Sequence, residues 1–595
     1  MNMLEVGTEN GYYGVYKYTP KGIQYFIPLG RDINIKKILR NIETDEYFLK
    51  LGYLYNNGKR SYLMPRSDLT EKKILKASAF GMDVFDRGTE ALVELLRIRE
   101  EIFLQNNSIQ NMHKSLGFVD ITMEGQRTRE FLHYKCKNIG STYDGILDIK
   151  PKGKFSDWCD DMRRLILGNI PMETVVACGL SAVAFGYLKG SLDFTNPIVH
   201  ICGDSTSGKS TALEAAIATA GNPSLQVNGL AKSWRGTSNA LISALLGIQG
   251  LPVGRDEISM YKGKDLSELV YQISLGREKE RLDKDCRLKA TESFTTVLIS
   301  TGETDMLSHL SGNTGLNLRV LDLKAESWTT SALNAEEIKK ASEAHYGTAC
   351  VAFAKALKEY TEEEVLDMVE EYRTMYMQRT KMTKFVERTS VIYAVILLTA
   401  SIMHHNLGVE FHKEEILDFL LKNEESVAVD FDRDLGNRFY VKFREYTLIN
   451  KNNFIEKSSY HRTKVLTREA DSPLLKKWGT IRECSGLNEV RCGKKVRYEV
   501  AVRKNRFKAI VTELGFEDSN NILRSLKEKG LLNCDGDRYT RGRKIDTDIT
   551  EEVYVFYLTS EDDSKDDTEE RLKTIAKEEN DRERQLRNKK KKLLT

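Results

Sequence analysis

The chain has 595 residues. At roughly 150 residues per domain, that is too long for one core, and three or four domains are expected. Basic and acidic residues nearly balance, 90 against 87, for a formal charge of +3. That excludes a globally cationic nucleic-acid coat, so any basic surface must be local. Apolar content of 41% and aromatic content of 9% are those of globular protein.

The nine cysteines are scattered. Cys484 and Cys492 stand closest together with no second pair of metal-ligand spacing, which favours reduced thiols over zinc. The opening MNMLEVGTENGYYG holds no apolar segment, so no signal peptide is expected. The longest apolar stretch, 391–403, falls short of the roughly 20 residues of a spanning helix and reads as buried. A cytoplasmic protein with no membrane partner follows as the expectation.

In chain order, residues 1–110 predict an N-terminal α+β domain. Aromatic-rich strands (GYYGVYKYTPKGIQYFIPLG) precede a helix (RGTEALVELLRIREEIFLQ). Residues 111–170 read as a connecting region, with strands in LGFVDI and YDGILDI and a helical pattern from about Trp158. Residues 171–330 alternate strand and helix. Residues 331–435 are almost continuously helical, first charged (EYTEEEVLDMVEEYRT), then apolar (SVIYAVILLTASIM). Residues 436–558 form a smaller mixed domain. Its last elements, SNNILRSLKEKGLL, NCDGDRYTRGRKI and EEVYVFYL, predict helix, hairpin and strand, the order of a winged helix. Residues 559–595 are almost all charged and cannot bury a core, which predicts a frayed helix or a disordered tail.

One motif is complete. Gly203, Asp204, Ser205, Thr206, Ser207, Gly208, Lys209 and Ser210 fit G-x-x-x-x-G-K-[ST], followed by Thr211. The flanks agree: IVHIC reads as a buried strand and TALEAAIATA as a helix. The glycines let the backbone bend around phosphates, and loop amides with the helix N-terminus face them. Lys209 is expected at the β- and γ-phosphates and Ser210 at magnesium, so ATP and Mg2+ are the expected cofactors.

Hydrolysis also needs carboxylates. Asp256 is expected to bind magnesium and Glu257 to polarise water. Gly254 and Arg255 interrupt the apolar run before them, so an exposed Asp-Glu turn is the competing reading. The next strand, FTTVLISTGET, ends in a polar tip. Thr301 is expected to orient the attacking water, with Ser300 and Glu303 as neighbouring alternatives, or else to cap a loop. Arg319, in GNTGLNLRVLDL, is an isolated cation before a strand. It suits stabilisation of a transferring phosphoryl group or an internal salt bridge.

The order of phosphate loop, Asp-Glu, polar strand tip and LNLRVLDL resembles an AAA+ ATPase related to MCM replicative helicases. SWRGTSNALISALLG, RDEI and LISTGE are more closely similar to the MCM-like helicases of staphylococcal chromosome cassettes, the Cch family, and related phage proteins. The strong resemblance covers about residues 195–325, and a looser organisational one extends to about 558. It implies an α/β AAA+ core, a helical lid and a C-terminal winged helix behind the N-terminal α+β domain. It also implies a homo-hexamer with Arg319 acting on the neighbour's nucleotide. A lid arginine, Arg388 or alternatively Arg379, would act there too.

The resemblance places SLGREKERLDKDCRLKATES where MCM-type ATPases insert a pore hairpin. Lys279, Arg281, Lys284, Arg287 and Lys289 then become candidates for gripping the backbone of one DNA strand. The other reading is a solvated charged loop. Trp234 and Arg235 are a second pore-facing candidate, unless Trp234 is core. Arg538, Arg541, Arg543 and Lys544 would flank a winged helix that binds either DNA or protein. The function implied is a DNA helicase or translocase for replication of a mobile genetic element, on single-stranded or forked DNA, with element-encoded or host replication proteins. The alternative is a non-unwinding initiator or loader. A small-molecule kinase leaves the basic loop unexplained. A transporter ATPase is disfavoured because LSGNTG follows the Asp-Glu pair.

Overall fold

The computed structural model describes residues 5–559 apart from 124, 194–195, 227, 264, 281, 283–290, 311–318, 381–383, 431–434, 458–477, 485–489, 492–493, 515, 517–518, 537 and 546–549. The chain divides into two compact units. Residues 1–309 and 318–424 form the first, and residues 310–317 and 425–595 the second.

The first unit opens with an antiparallel sheet of Glu5–Glu9, Tyr12–Tyr18 and Gln24–Gly30. A six-stranded sheet follows, centred on Ile33–Asn41 and Tyr47–Tyr55. Helix Thr89–Asn106 packs Leu92, Leu95 and Leu96 into the core that the sheets share. One sheet runs across the expected boundary near residue 110. Strand Gln110–His113 pairs in parallel with Ile33–Asn41, and Ser141–Tyr143 pairs in turn with Gln110–His113. These partners lie tens of residues apart, beyond the reach of local patterning.

The centre of the unit is a five-stranded parallel sheet. Its strands in chain order are the first (Ile198–Cys202), second (Ala231–Ser233), third (Val253–Asp256), fourth (Leu298–Gly302) and fifth (Val320–Lys324). In space the order is second, third, fourth, first, fifth. Such a sheet is covered on both faces, which explains the unbroken apolar runs. Helix Ile170–Tyr187 is buried at every position from Met172 to Gly186. It and Thr389–Leu407 are apolar and long enough to pass for membrane spans, yet most of each lies inside the protein.

Helices Ala332–Ala344, Ala349–Leu357, Glu362–Gln378 and Lys384–Leu407 follow the sheet. The third starts where Thr361 and Glu364 form a capping box, which satisfies two orphan amides.

The second unit has an antiparallel-rich sheet. Gly479–Glu483, Lys494–Arg503 and Thr550–Thr559 are its centre, with Arg541–Lys544 on the edge. Helices Leu435–Ile449, Lys504–Glu513 and Ser519–Glu528 pack on it around Phe439, Phe443, Phe507, Phe516 and Phe556. Residues 494–511, rich in Lys and Arg, are a strand and a helix whose Val500, Val502, Phe507 and Ile510 are core.

Candidate functional site

Residues 203–208 join the first strand to helix Lys209–Ala218. Gly208 is left-handed at φ 91°, and a Cβ there would meet Thr329 at 2.9 Å, so the position needs glycine. Among the described residues six non-glycines have positive φ. Four are Asn or Asp, the types that tolerate it; the other two are Thr206 at 68° and Glu257 at 59°. Both belong to this site, and each strained residue costs of order 1–3 kcal/mol.

The Lys209 ammonium is buried and donates to the carbonyls of Gly203 (2.8 Å) and Asp204 (2.6 Å), so it lies inside the arch of its own loop. Ser207 Oγ is buried with no partner among the described atoms, an orphan polar group in the loop wall. Trp328, just past the fifth strand, closes the loop from behind. Its amide donates to Ser207 O (2.8 Å) and its indole to Cys202 O (3.3 Å). Nothing local in the sequence marked Trp328 or Thr329.

The strand order sets the fourth strand between the first and the third, so its tip touches both. Thr301 Oγ1 donates to Asp256 Oδ1 (2.7 Å) and accepts from the Glu257 amide (2.9 Å). Ser210 Oγ donates to the same Asp256 oxygen (3.1 Å). The Glu257 side chain accepts from Ser259 N at 3.3 Å. Ser205 Oγ donates to Glu303 Oε1 (2.5 Å). Five sequence-predicted residues, Ser205, Ser210, Asp256, Glu257 and Thr301, therefore meet at the carboxyl end of one parallel sheet, where open α/β sheets place their ligands. A serine hydroxyl beside one carboxylate is an oxygen donor set that suits magnesium, which takes few protein ligands.

Of the two alternatives to Thr301, Glu303 bonds Ser205 of the phosphate loop, and Ser300 lies on the opposite sheet face with Trp234 and His200. The Asp-Glu pair is not an exposed turn, because Asp256 ends the third strand. Gly254 is small because a Cβ would meet Leu213 at 3.0 Å and Ala231 at 3.1 Å. Arg255 is 2% exposed and donates to Gly254 O (2.9 Å); burial pushes its guanidinium down to about 10.

Arg319 lies at the other end. Its carbonyl accepts from Ile198 N at 2.9 Å, level with the start of the first strand. The loop begins five residues later, roughly 16 Å along at about 3.3 Å per residue. Its guanidinium lies 4.8 Å from the Tyr271 ring centroid. Arg379 pairs with Glu414 (2.7 Å) and Asp418 (3.2 Å). Arg388 falls within helix Lys384–Leu407, and its side chain lies outside the described residues.

Of the basic loop, Arg281, Lys284, Arg287 and Lys289 lie outside the described residues. Lys279 is exposed and pairs with Glu268 at 2.6 Å. The stem of the loop is antiparallel: Arg277 bridges Ser293, Glu278 N donates to Glu292 O (3.2 Å), and Phe294 N to Gly276 O (2.7 Å). Two residues that the sequence did not single out fasten it. Gln249 Nε2 donates to Ser293 O (2.8 Å), while Lys189 Nζ donates to Ser293 Oγ (3.0 Å) and Gln249 Oε1 (2.7 Å).

Trp234 is not pore-facing. It is fully buried, because the sheet face beneath it offers its indole a partner in Ser300, whereas Arg235 beside it is exposed. In the second unit Arg541 is held by Asn533 Oδ1 (3.0 Å), Cys534 O (2.5 Å) and Asp535 (3.2 Å). Arg543 lies 3.9 Å from Glu499.

Residues 6–293 match the family model described as a domain of unknown function, DUF927. Residues 434–562 match the Cch helix turn helix domain. No curated protein matches the chain. Among solved structures, "SCCmec type IV Cch - active helicase" is similar at a TM-score of 0.64 and 22% identity, over 93% of this chain and 97% of that one. The chain thus shares the fold of that structure along nearly its whole length, and its residues 434–562 carry a Cch helix turn helix domain.

Proposed function

We propose that the protein is an ATP-driven, AAA+ MCM-like ring helicase or translocase that unwinds DNA for replication of a mobile genetic element. The observation that carries this reading is the meeting of Ser210, Asp256, Thr301 and Glu257 at one sheet edge, with Arg319 at the opposite edge. Lys209 and the loop amides would hold the β- and γ-phosphates of ATP, and Ser210 with Asp256 would hold Mg2+. The ion, when bound, supplies charge neutralisation on the phosphate oxygens. Thr301 fixes the orientation of Asp256 and the backbone of Glu257. Glu257 takes the proton from the attacking water once its carboxylate leaves Ser259 N.

An arginine whose backbone lies roughly 16 Å of strand from its own loop is poorly placed to reach that loop's phosphates. Arg319 therefore suits the site of a neighbouring subunit in a homo-hexamer, with Arg388 as a second contributor from the lid. The antiparallel stem at 276–278 and 292–294 supports a hairpin reading of the basic loop. Lys279 and the cations beyond it would grip single-stranded or forked DNA through its phosphates. Host or element-encoded replication proteins are the expected partners. The solved relative is named an active helicase, which supports the same reading.

Strand displacement on a forked duplex tests it. The wild-type protein should separate strands catalytically with ATP and Mg2+, and Glu257→Gln should bind ATP without turning it over. Stoichiometric binding without strand separation would replace the helicase with a loader.

A further inference from the structure

The catalytic row of the five-stranded sheet has a second row behind it. In register across the strands, Lys232 lies beside Arg255, Arg255 beside Ser300, Ser300 beside His200, and His200 beside Asp322. Side chains alternate along a strand, so this row faces away from Asp256 and Thr301. Four of its five members are buried. Buried polar groups persist where they are hydrogen-bonded, and the bonds here admit one arrangement of protons.

The Trp234 indole is a donor only, so Ser300 Oγ accepts from it at 2.9 Å. Thr304 O is an acceptor only, so the His200 Nε2 that lies 3.0 Å away carries a proton. Burial holds the imidazolium down to about 4, so the ring is neutral and Nδ1 is bare. Ser300 Oγ must then donate to Nδ1 at 2.9 Å. The chain runs one way, from Trp234 through Ser300 and His200 to Thr304.

Both ends of this chain touch the candidate nucleotide site. Ser300 and Thr304 flank Thr301 and Glu303, which bond Asp256 and Ser205. Trp234 N donates to Asp256 O (3.1 Å), and its ring lies 6.1 Å from that of Tyr261, whose hydroxyl meets Ser238 Oγ at 3.0 Å. A Cβ on Gly302 would meet Ile258 at 2.6 Å and the His200 ring at 2.9 Å, so the fourth strand has no slack.

We propose that Trp234, Ser300 and His200 are positioning residues: a hydrogen-bond relay that couples the strand tip at the nucleotide site to residues 234–238, where the exposed Arg235 offers a cation to phosphates, and makes turnover respond to nucleic acid. The proposal rests on the helicase reading above. Its components act through Thr301 and Glu303 and touch no reacting atom. Trp234→Phe keeps the ring and removes only the first donor. In the full-length protein, Trp234→Phe should leave KM for ATP and basal kcat within about twofold. The increment of kcat on adding single-stranded DNA should fall about fivefold or more. His200→Asn, which loses the bond to Thr304, should show the same split. The indole emission change on adding a non-hydrolysable ATP analogue should shrink in His200→Asn, which keeps Trp234 in place.

Full DNA stimulation in Trp234→Phe would overturn the relay. So would an equal fall in basal and stimulated rates with a raised KM, which marks a packing role. Absence of DNA stimulation in the wild-type protein, by contrast, would sink the helicase reading itself. The emission change then tests the relay independently: an unaltered change in His200→Asn would overturn it.

Discussion

Two of the sheets in this molecule solve opposite problems. The five-stranded parallel sheet keeps chemistry inside: Ser210, Asp256 and Thr301 share one carboxyl edge, and a second polar row is buried behind them. The sheet of the second unit keeps mainly packing inside. Its core is aromatic, with Phe507 at 5.3 Å from Phe556 and 5.6 Å from Phe439, and its cations stay on the surface. There Arg503 pairs with Glu551, Lys504 with Glu552, and Arg506 with Glu513. The candidate site of the first sheet is a matter of geometry, whereas the charges of the second pair at its surface. A substitution should therefore cost activity in one and stability in the other.

The largest effect tests the first half of that contrast. Lys209→Ala and Arg319→Ala should each be nearly inactive in ATP turnover, since an arginine supplied in trans is worth roughly 10³ to 10⁵ in rate. Mixed under conditions that let subunits exchange, they should regain turnover, because some interfaces then pair an intact loop with an intact arginine. ATPase rate against mixing ratio is the measurement. A flat line, with mixed oligomers verified by native mass, would place Arg319 outside the reaction.

Next in size is Phe507→Ala in the aromatic core. It should destabilise the second unit by about 3–5 kcal/mol while leaving basal ATP turnover within twofold. Limited proteolysis after residue 425, followed against turnover, checks both halves. Turnover lost in step with proteolysis would show that the units do not divide the labour this way.

A smaller effect separates the units by pH. His200 and His133 are fully buried, and burial pushes each down to about 4 from 6.5. In this interval the unfolded chain binds more protons than the folded one. The stability from keeping these rings neutral is present above about pH 6.5 and lost as pH falls toward 4. The first unit should therefore soften over that window, and His200→Gln should flatten its fall. Only His461 lies past residue 424, so the second unit should shift less. Thermal midpoints read between pH 7 and 4.5 decide it. An unchanged slope in the variant would show that His200 is neutral at no cost.

The smallest effect is at the surface. The Arg503 guanidinium meets both oxygens of Glu551, at 2.9 and 3.0 Å, and both side chains are about one-third exposed. Arg503→Lys keeps the charge and loses the fork, and should cost about 1 kcal/mol or less in denaturant unfolding. A loss of several kcal/mol would mean that the surface charges of this sheet are also structural.

How much of this was legible in the residues depends on distance along the chain. The loop at 203–210 is contiguous, and its spacing alone predicts the arch in which Lys209 sits. Asp256 and Glu257 were ambiguous because Gly254 and Arg255 look polar in a line of sequence. In the fold one leaves room for Leu213 and the other lies on the far face. Trp234 could not be assigned, since its partner Ser300 is 66 residues away. The strands at 110–143 were read as a connector for the same reason: their partners begin at Ile33. The roles of Lys189 and Gln249 leave no local pattern at all.

Those two residues bear on mechanics. Strand Ile248–Gln249 pairs in parallel with Leu116 and Gly117, and its carbonyl at Gln249 lies so close that a Cβ on Gly117 would meet it at 2.0 Å, and one on Gly186 at 2.6 Å. Gln249 thus grips the stem of the basic loop with its side chain and the N-terminal strands with its backbone. A pull on Ser293 would therefore be shared between the 116–132 hairpin and the fourth strand, which begins five residues further on at Leu298.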